Sequence, residues 1–187
     1  MALFNPTLLE PNLILGDTIL HLTPDIVRKN NLKGLILDVD ETLVPMRQKQ
    51  ASEDLLKWAN TMKRVANIWL VSNNLSQKRI GRIAENLELP YLLGAKKPSR
   101  KKLRKAVDAM DLRPQEVAMV GDRLFTDVLA GNRLGLFTVL VEPMLDPLKA
   151  DRQYRIHNAE VFVSKLLGAS LDGLRQSFTK KNKKTFY

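Results

Sequence analysis

Residues 34–43 read GLILDVDETL, and the architecture of the chain can be worked out from this stretch. It opens with a short apolar run at 34–37, whose length fits a buried β-strand. It ends in two carboxylates, Asp38 and Asp40, which point to the same side of an extended chain because they are two residues apart. Two like charges at the end of an apolar strand cost free energy unless a cation offsets their repulsion. The pair is therefore a candidate site.

Other interpretations of this acidic pair can be weighed from the sequence alone. A calcium loop of the Asp-x-Asp-x-Asp-Gly type needs glycine at its sixth position, where this chain has Leu43. A Walker-B strand needs a Gly-x-x-x-x-Gly-Lys-Ser/Thr loop elsewhere, and the sequence contains none. A solvated charged turn after the strand stays open on these residues alone.

The composition is that of a soluble globular protein, with 44% hydrophobic and 27% charged residues among 187. This length suits one domain with a full hydrophobic core. Thirty Lys and Arg against 20 Asp and Glu leave a net charge of +10, which favours anionic partners such as phosphorylated substrates, nucleic acid or lipid headgroups. The absence of cysteine excludes disulfides and thiolate metal sites.

The N-terminal region does not have the pattern of a targeting segment. Its apolar patches are interrupted by Pro6 and Pro11, and no Lys or Arg precedes Arg28, whereas a secretory signal has a basic start and an unbroken apolar core. No segment reaches the roughly 20 apolar residues of a membrane-spanning helix. We therefore expect a protein that is cytoplasmic or bound to a membrane surface.

Apolar runs alternate with helical periodicities along the chain. Strands are predicted at residues 34–37, 68–71, 91–93, 117–120 and 136–141. Helices are predicted between them, with Ser52 and Ser76 as N-caps of two and Pro98 opening a third. A helix at 161–167 and a basic tail follow. The alternation predicts an α/β fold with a central parallel five-stranded sheet and helices on both faces.

Ligands of such sheets bind at the carboxyl ends of the strands, and polar residues follow four of the predicted strands. These residues are Asp38 and Asp40, then Ser72 and Asn73, then Lys97, and finally Asp122 and Asp127. Their shared placement predicts one converging site. Ordinary roles stay open for some of them, because Ser72 and Asn73 can simply end a strand, and Lys96 is an alternative to Lys97.

Four segments resemble the motifs of the haloacid dehalogenase (HAD) superfamily in their usual order. Residues 38–43 resemble its Asp-x-Asp-x-Thr motif, Ser72-Asn73 its second, Lys97-Pro98 its third, and residues 121–127 its Gly-Asp-x-x-x-x-Asp motif. The resemblance covers about residues 33–141 and implies a HAD-like Rossmannoid fold. Residues 22–25 and the first and fourth motifs are also similar to the YqeG-type branch, which includes phosphatidylglycerophosphate phosphatases.

This resemblance implies a covalent mechanism in which Asp38 is the nucleophile and forms an aspartyl-phosphate. Asp40 would protonate the leaving alkoxide and then activate water to hydrolyse the intermediate. Ser72 and Asn73 would donate hydrogen bonds to the phosphoryl oxygens, and Lys97 would neutralise charge on the transferring group.

The resemblance also implies a Mg²⁺ cofactor, because a carboxylate and an anionic phosphate ester repel each other without a cation between them. The carboxylates of Asp38 and Asp122 would bind the ion, and the backbone carbonyl of Asp40 would be a third ligand. Asp127 would hold a metal-bound water or orient Lys97.

The expected domain organisation is a single phosphatase domain over residues 1–187. It has a lead-in at 1–32, a catalytic core at about 33–141, and a C-terminal helix and basic tail at 142–187. Only about one helix fits between successive strands, so we expect no cap domain and an open site. An open site suits a phosphate on a large partner, such as a membrane surface or a protein, or else a site that is closed by oligomerisation. The branch therefore implies phosphatidylglycerophosphate at a membrane surface as the substrate, with the cations of residues 96–105 and 180–184 contacting anionic lipid.

Other functions fit part of the pattern. A receiver domain also carries acidic residues after its first strand, but its phospho-acceptor follows a middle strand, where this chain has Ser72. A non-catalytic nucleic-acid binder could use the basic run at 96–105, yet only 6% of residues are aromatic and no nucleic-acid motif is recognised, so we expect no specific nucleic-acid partner. A soluble phosphometabolite or a phosphoprotein is the alternative substrate.

Overall fold

The computed structural model describes residues 5–144, 160, 162–163 and 165–170. Six parallel strands form one sheet in the spatial order β1-β6-β5-β2-β3-β4. The strands are β1 (Leu13–Ile14), β2 (Gly34–Leu37), β3 (Asn67–Val71), β4 (Tyr91–Leu92), β5 (Val117–Gly121) and β6 (Phe137–Leu140). The predicted parallel α/β fold is confirmed, and β2 has the bounds that its apolar run predicted.

The prediction of five strands is wrong, because the lead-in contributes a sixth. Leu13 and Ile14 pair in parallel with Val139 and Leu140 of β6, at the edge of the sheet. A strand of two residues is too short to display the period of two by which strands are recognised. Its existence depends on a partner more than a hundred residues away along the chain.

Five α-helices connect these strands. They are α1 (Pro24–Lys29), α2 (Glu53–Met62), α3 (Gln77–Leu87), α4 (Lys101–Ala109) and α5 (Leu129–Leu134). Short 3₁₀ turns lie at Pro6–Leu9, Ile19–His21 and Pro114–Glu116, and a π-helix at Leu124–Val128 precedes α5. Ser52 and Ser76 accept hydrogen bonds from backbone N–H groups of α2 and α3, as predicted for N-caps. The third predicted helix begins at Lys101 rather than at Pro98.

Helices cover both faces of the sheet, and successive residues of β2 pack against opposite layers. Leu35 and Leu37 lie in one core cluster with Leu55 of α2 and Ile80 of α3. Ile36 lies in a second cluster on the other face, which also contains Leu103 of α4 and Leu134 of α5. Burial on both faces explains why this strand reads as a continuous apolar run rather than as an alternating one.

The chain after β6 is described only in part. Residues 160, 162–163 and 165–166 are helical, within or next to the helix predicted at 161–167. Ala169 is buried, and the backbone N–H of Ser170 donates to the Glu10 carboxylate at 2.8 Å. The basic residues predicted to contact lipid at 180–184 lie outside the described residues. Among those described, no helix has the length and apolar character to cross a membrane.

Candidate active site

Three buried carboxylates meet at the carboxyl edge of the sheet, on the central strands. Asp38 directly follows β2, and Asp122 directly follows β5, its neighbour in the sheet. Asp127 lies in the π-helix that follows β5. Each of the three offers an oxygen within 4.8 Å of the others. The convergence predicted from strand ends is therefore present for Asp38, Asp122 and Asp127.

Lys97 supplies positive charge to this cluster from a buried position. Its Nζ lies 2.5 Å from Asp38 Oδ1 and 2.7 Å from Asp127 Oδ1, and it donates to the carbonyl of Val71 at 3.0 Å. Burial opposes the charge on Lys97, but the carboxylates of Asp127 and Asp38 outweigh burial and raise the pKa of its ammonium above the ordinary value. Lys96 is exposed, so the geometry favours Lys97 over Lys96.

Two of the carboxylates have abnormal proton affinities for the same physical reason. Burial, with help from the charges of Asp127 and Asp40, raises the pKa of Asp38 to about 7, although Lys97 opposes the shift. Burial and the charges of Asp127 and Asp38 raise the pKa of Asp122 well above its ordinary value. A cluster with this much buried negative charge is a favourable place for a further cation.

Asn73 fixes the backbone of Lys97. Its Oδ1 accepts the N–H of Lys97 at 2.7 Å, and its Nδ2 donates to the carbonyl of Lys97 at 3.4 Å. The second motif therefore holds the third in place, and Asn73 also lines the pocket described below. Whether it also donates to a phosphoryl oxygen, as the resemblance implies, stays a prediction.

Asp40 has its hydrogen-bond partners in the segment after β3 and in α3. Its Oδ2 accepts a hydrogen bond from Ser72 Oγ at 3.3 Å and another from Asn74 Nδ2 at 3.2 Å. Its Oδ1 forms an ion pair with the Arg79 guanidinium. The two carboxylates of the first motif thus have different surroundings, as two different chemical roles require. Ser72 is fully buried and contacts Asp40 rather than the cluster.

Thr42 and Gly121, which belong to the first and fourth motifs, have structural roles beside the carboxylates. Thr42 is buried and donates from Oγ1 to Asp122 Oδ1 at 2.9 Å, which joins the first motif to the fourth. Gly121 leaves room for Asp127, because a Cβ at this position would lie 2.4 Å from Asp127 Cγ. The Gly-Asp pair of the fourth motif is therefore a packing requirement as well as a source of a carboxylate.

A pocket of about 230 Å³ opens above these groups. Asp38, Asp40 and Lys97 lie on its lining, together with Glu41, Met46, Asn73, Asn74, Arg123 and Thr126. Arg123 is held at this position by Glu160, whose Oε1 accepts from Nη2 at 2.7 Å. A larger cavity of about 720 Å³ lies along α3 and Tyr91, and none of the motif residues lines it.

Several residues of the site were not identified from the sequence, among them Asn74, Arg79 and Arg123. Asn74 and Arg79 contact Asp40, and Arg123 lines the pocket. Asn74 and Arg123 lie directly beside motif residues, which is a signal that could have been used. Arg79 had no signal, because it reads as one of several cations on the polar face of an amphipathic helix.

Known proteins resemble this chain in sequence and in fold. The Bacillus subtilis protein named "Probable phosphatase YqeG" is 39% identical over 127 residues, which are 67% of this chain and 73% of that protein. The Saccharomyces cerevisiae protein named phosphatidylglycerophosphatase GEP4, mitochondrial, is 30% identical over 158 residues, covering 74% of this chain and 80% of that one. A solved HAD family enzyme from Bacteroides thetaiotaomicron, a magnesium complex, has a TM-score of 0.50 at 10% identity, covering 65% of this chain and 99% of the other.

The relatives in sequence and the fold define the chain as a HAD-type phosphatase. A family model described as mitochondrial PGP phosphatase matches residues 1–145, and the chain belongs to this family of phosphatases. The superfamily predicted from the four motifs is confirmed. The phosphatase class is also confirmed, in preference to a receiver domain or a non-catalytic nucleic-acid binder.

Proposed function

We propose that the protein is a Mg²⁺-dependent phosphomonoester hydrolase that works through an aspartyl-phosphate, with phosphatidylglycerophosphate as its substrate. One observation carries the chemistry: Asp38 lies on the floor of a pocket, 2.5 Å from the Lys97 ammonium, while Asp40 lines the same pocket with separate partners. A nucleophile and an acid–base group are thus presented to one small volume.

In the proposed first step, an oxygen of Asp38 attacks the phosphorus, and the bond between phosphorus and the ester oxygen breaks. Asp40 gives its proton to the departing alkoxide, which leaves as an alcohol. In the second step Asp40 takes a proton from water, and the resulting hydroxide attacks the phosphorus. The bond between the phosphorus and the Asp38 oxygen breaks, which releases inorganic phosphate and restores the Asp38 carboxylate. Lys97 and the amide of Asn73, which line the pocket, offset negative charge on the phosphoryl oxygens, whereas the Ser72 hydroxyl donates to Asp40.

The residues present fit a divalent cation. Asp38, Asp122 and Asp127 bring three buried carboxylates within 4.8 Å, and oxygen ligands of this kind suit Mg²⁺. Asp38 and Asp122 would hold the ion with the carbonyl of Asp40, and Asp127 would orient Lys97, which it contacts. When bound, Mg²⁺ would supply the charge that brings an anionic ester to an anionic nucleophile.

The lipid substrate is supported by the family and by the surface next to the site. The first turn of α4 follows Lys97 and therefore starts at the carboxyl edge of the sheet. A cavity of about 470 Å³ at this place is lined by Ser99, Arg100, Lys101, Arg104 and Arg133, with no carboxylate among them. Such a cation-rich surface suits an anionic membrane, to which the protein would bind peripherally.

A panel of phosphate esters tests this proposal. Purified protein is assayed with Mg²⁺ on phosphatidylglycerophosphate in vesicles, sugar phosphates, nucleotides and phosphopeptides. We expect the highest kcat/KM on the lipid, loss of all activity in excess chelator, and recovery when Mg²⁺ is restored. The Asp38→Asn protein should release no phosphate and should form no acid-stable phosphoenzyme.

Each part of the proposal has its own contrary result. Turnover that persists in excess chelator would exclude the metal-dependent mechanism. Full activity of Asp38→Asn would exclude Asp38 as the nucleophile. A higher kcat/KM on a soluble ester or a phosphopeptide than on the lipid would leave the mechanism in place and replace the substrate.

A further inference from the structure

Arg79 is a cation in the first turn of α3, at the edge of the site, and the proposed mechanism gives it no role. Its side chain is 11% exposed, and its partner Asp40 is 15% exposed. Ion pairs with so little solvent around them are costly to desolvate, and removing one partner leaves the other charge uncompensated. This position is therefore unusual for an arginine of an otherwise solvent-facing stripe.

The guanidinium of Arg79 joins three different groups through three donors. Nη1 pairs with Asp40 Oδ1, Nη2 donates to the carbonyl of Pro45 at 3.1 Å, and Nε donates to the carbonyl of Gln48 at 3.0 Å. The last two groups belong to the loop that follows the first motif. Arg79 thus connects α3, the acid–base carboxylate and this loop at one point.

The remaining oxygen of Asp40 is also held by protein side chains. Ser72 and Asn74 donate to Oδ2, and both lie between β3 and α3. Together with Arg79, they leave the carboxylate little freedom to rotate. A general acid or base works only when its oxygen stays within hydrogen-bond reach of the group with which it exchanges a proton.

We propose that Arg79 is a positioning residue that holds the Asp40 carboxylate, through Oδ1, in the orientation required for proton exchange with the leaving group. This inference rests on the proposed function. Arginine suits the task because its planar fork presents several donors in fixed directions, whereas lysine offers one flexible ammonium. The carbonyls of Pro45 and Gln48 fix the plane of the fork.

Comparing esters with different leaving groups tests the positioning role, because loss of a purely structural residue would lower kcat/KM equally for all esters. An alkoxide needs a proton as it leaves, whereas p-nitrophenolate leaves without one, so only the alkyl ester depends strongly on Asp40 during ester cleavage. We expect Arg79→Met to lower kcat/KM for glycerol phosphate about 100-fold or more, the typical contribution of general acid catalysis, and to lower it only a few-fold for p-nitrophenyl phosphate.

A matched control and a double mutant complete the experiment. Arg82→Met removes an exposed arginine from the same helix and should leave both kcat/KM values within about two-fold of wild type. Adding Arg79→Met to Asp40→Asn should cause almost no further loss on glycerol phosphate, because residues that act as one unit are not additive. Arg79→Lys tests the same point if the methionine variant does not fold, as judged by circular dichroism and thermal unfolding.

The outcomes separate this inference from the function on which it rests. Wild-type protein without activity in Mg²⁺ on either ester or on phosphatidylglycerophosphate in vesicles would overturn the proposed function. Active wild-type protein with equal losses on both esters for the Arg79 variants would overturn the positioning role alone and leave Arg79 as a support for the loop. If the losses in kcat/KM from Arg79→Met and Asp40→Asn were additive in the double mutant, the positioning role would likewise be overturned.

Discussion

At the scale of single residues, the site is defined by negative charge that is largely removed from water. Asp38, Asp122 and Asp127 are all buried, and the Lys97 ammonium contacts two of them. The raised pKa values of Asp38 and Asp122 express the free energy that this arrangement costs when both are ionised. The metal-free protein should therefore become more stable when a carboxylate of the cluster is neutralised.

Asp122→Asn makes this expectation measurable. The amide keeps an Oδ1 that can accept the hydrogen bond from Thr42, but it removes the charge that faces Asp38 and Asp127. In excess chelator near pH 8, we expect the Tm to rise by about 2–4 °C, which corresponds to about 1 kcal/mol for a chain of this size. The same variant should lose the increase in Tm that Mg²⁺ gives the wild type.

Asp25→Asn is the matched control for this measurement. The side chain of Asp25 is 92% exposed and pairs with Arg28 on α1, so the same chemical change there should alter the Tm little, with or without Mg²⁺. A clear decrease in the Tm of metal-free Asp122→Asn would contradict the idea that repulsion is stored in the cluster.

The stability of the metal-free protein should also depend on pH in a defined direction. In the folded state the pKa of Asp38 is about 7, whereas its ordinary value is 3.8, so between these values the folded protein holds a proton that the unfolded chain has released. The free energy of unfolding should therefore fall as pH rises from about 4 to about 7. Asp122 acts in the same direction.

Urea denaturation in chelator at several pH values across this window measures the effect. Asp38→Asn, which cannot titrate, should have a smaller fall in the free energy of unfolding than wild type. If the stability of the metal-free wild type rose steadily through the window, burial would not dominate the behaviour of Asp38.

At the scale of elements, α4 carries exposed cations close in sequence to the active-site residue Lys97. Its buried stripe includes Leu103 and Val107, while Lys101 and Arg104 face solvent beside Arg100. Because the helix follows Lys97, its basic first turn lies at the carboxyl edge of the sheet. Each cation near an anionic leaflet contributes about 1 kcal/mol to binding.

Charge reversal in this turn tests the role of α4. We expect the triple variant with glutamate at Arg100, Lys101 and Arg104 to lose most of its activity on phosphatidylglycerophosphate in vesicles. Its activity on a soluble ester such as p-nitrophenyl phosphate should stay near wild type, since none of these side chains lines the pocket above Asp38.

A second triple variant, with glutamate at Lys29, Lys57 and Arg64, carries the same change in net charge on exposed positions outside α4. It should retain more activity on vesicles than the α4 variant. Equal losses by the α4 variant on vesicles and on the soluble ester would mean that these cations serve folding or catalysis instead of membrane contact.

At the scale of the whole molecule, the dominant property is the net charge of +10. Exposed charges interact over a Debye length of about 8 Å at physiological salt, and this length shortens as salt is added. A net charge of +10 predicts attraction to any anionic surface. The affinity should depend on the salt concentration rather than on the identity of one residue.

Vesicle sedimentation measures this attraction directly. We expect the protein to bind vesicles that contain phosphatidylglycerol at about 50 mM salt and to dissociate from them toward about 500 mM, where screening is strong. Vesicles of phosphatidylcholine alone should bind little protein at either concentration. Binding that is equally strong on both vesicle types, or that does not change with salt, would contradict an electrostatic attachment.

Much of this protein could be predicted from local patterns in its sequence. The apolar run at 34–37 specified β2, because a strand that is buried on both faces must be apolar at every position. Asp38, Lys97, Asp122 and Asp127 were identified because each follows a strand, and the carboxyl ends of parallel strands meet at one edge. These inferences need only the pattern of apolar residues within each element and the order of the elements along the chain.

Other features depend on contacts between distant segments and have no local signal. The two residues of β1 form a strand only because β6 offers them a free edge, and without that partner they are an ordinary apolar pair. The ion pair between Arg79 and Asp40 forms because α3 folds back over the loop after the first motif. Sequence spacing does not encode which side chains meet across two packed elements, since that depends on how the elements pack in three dimensions.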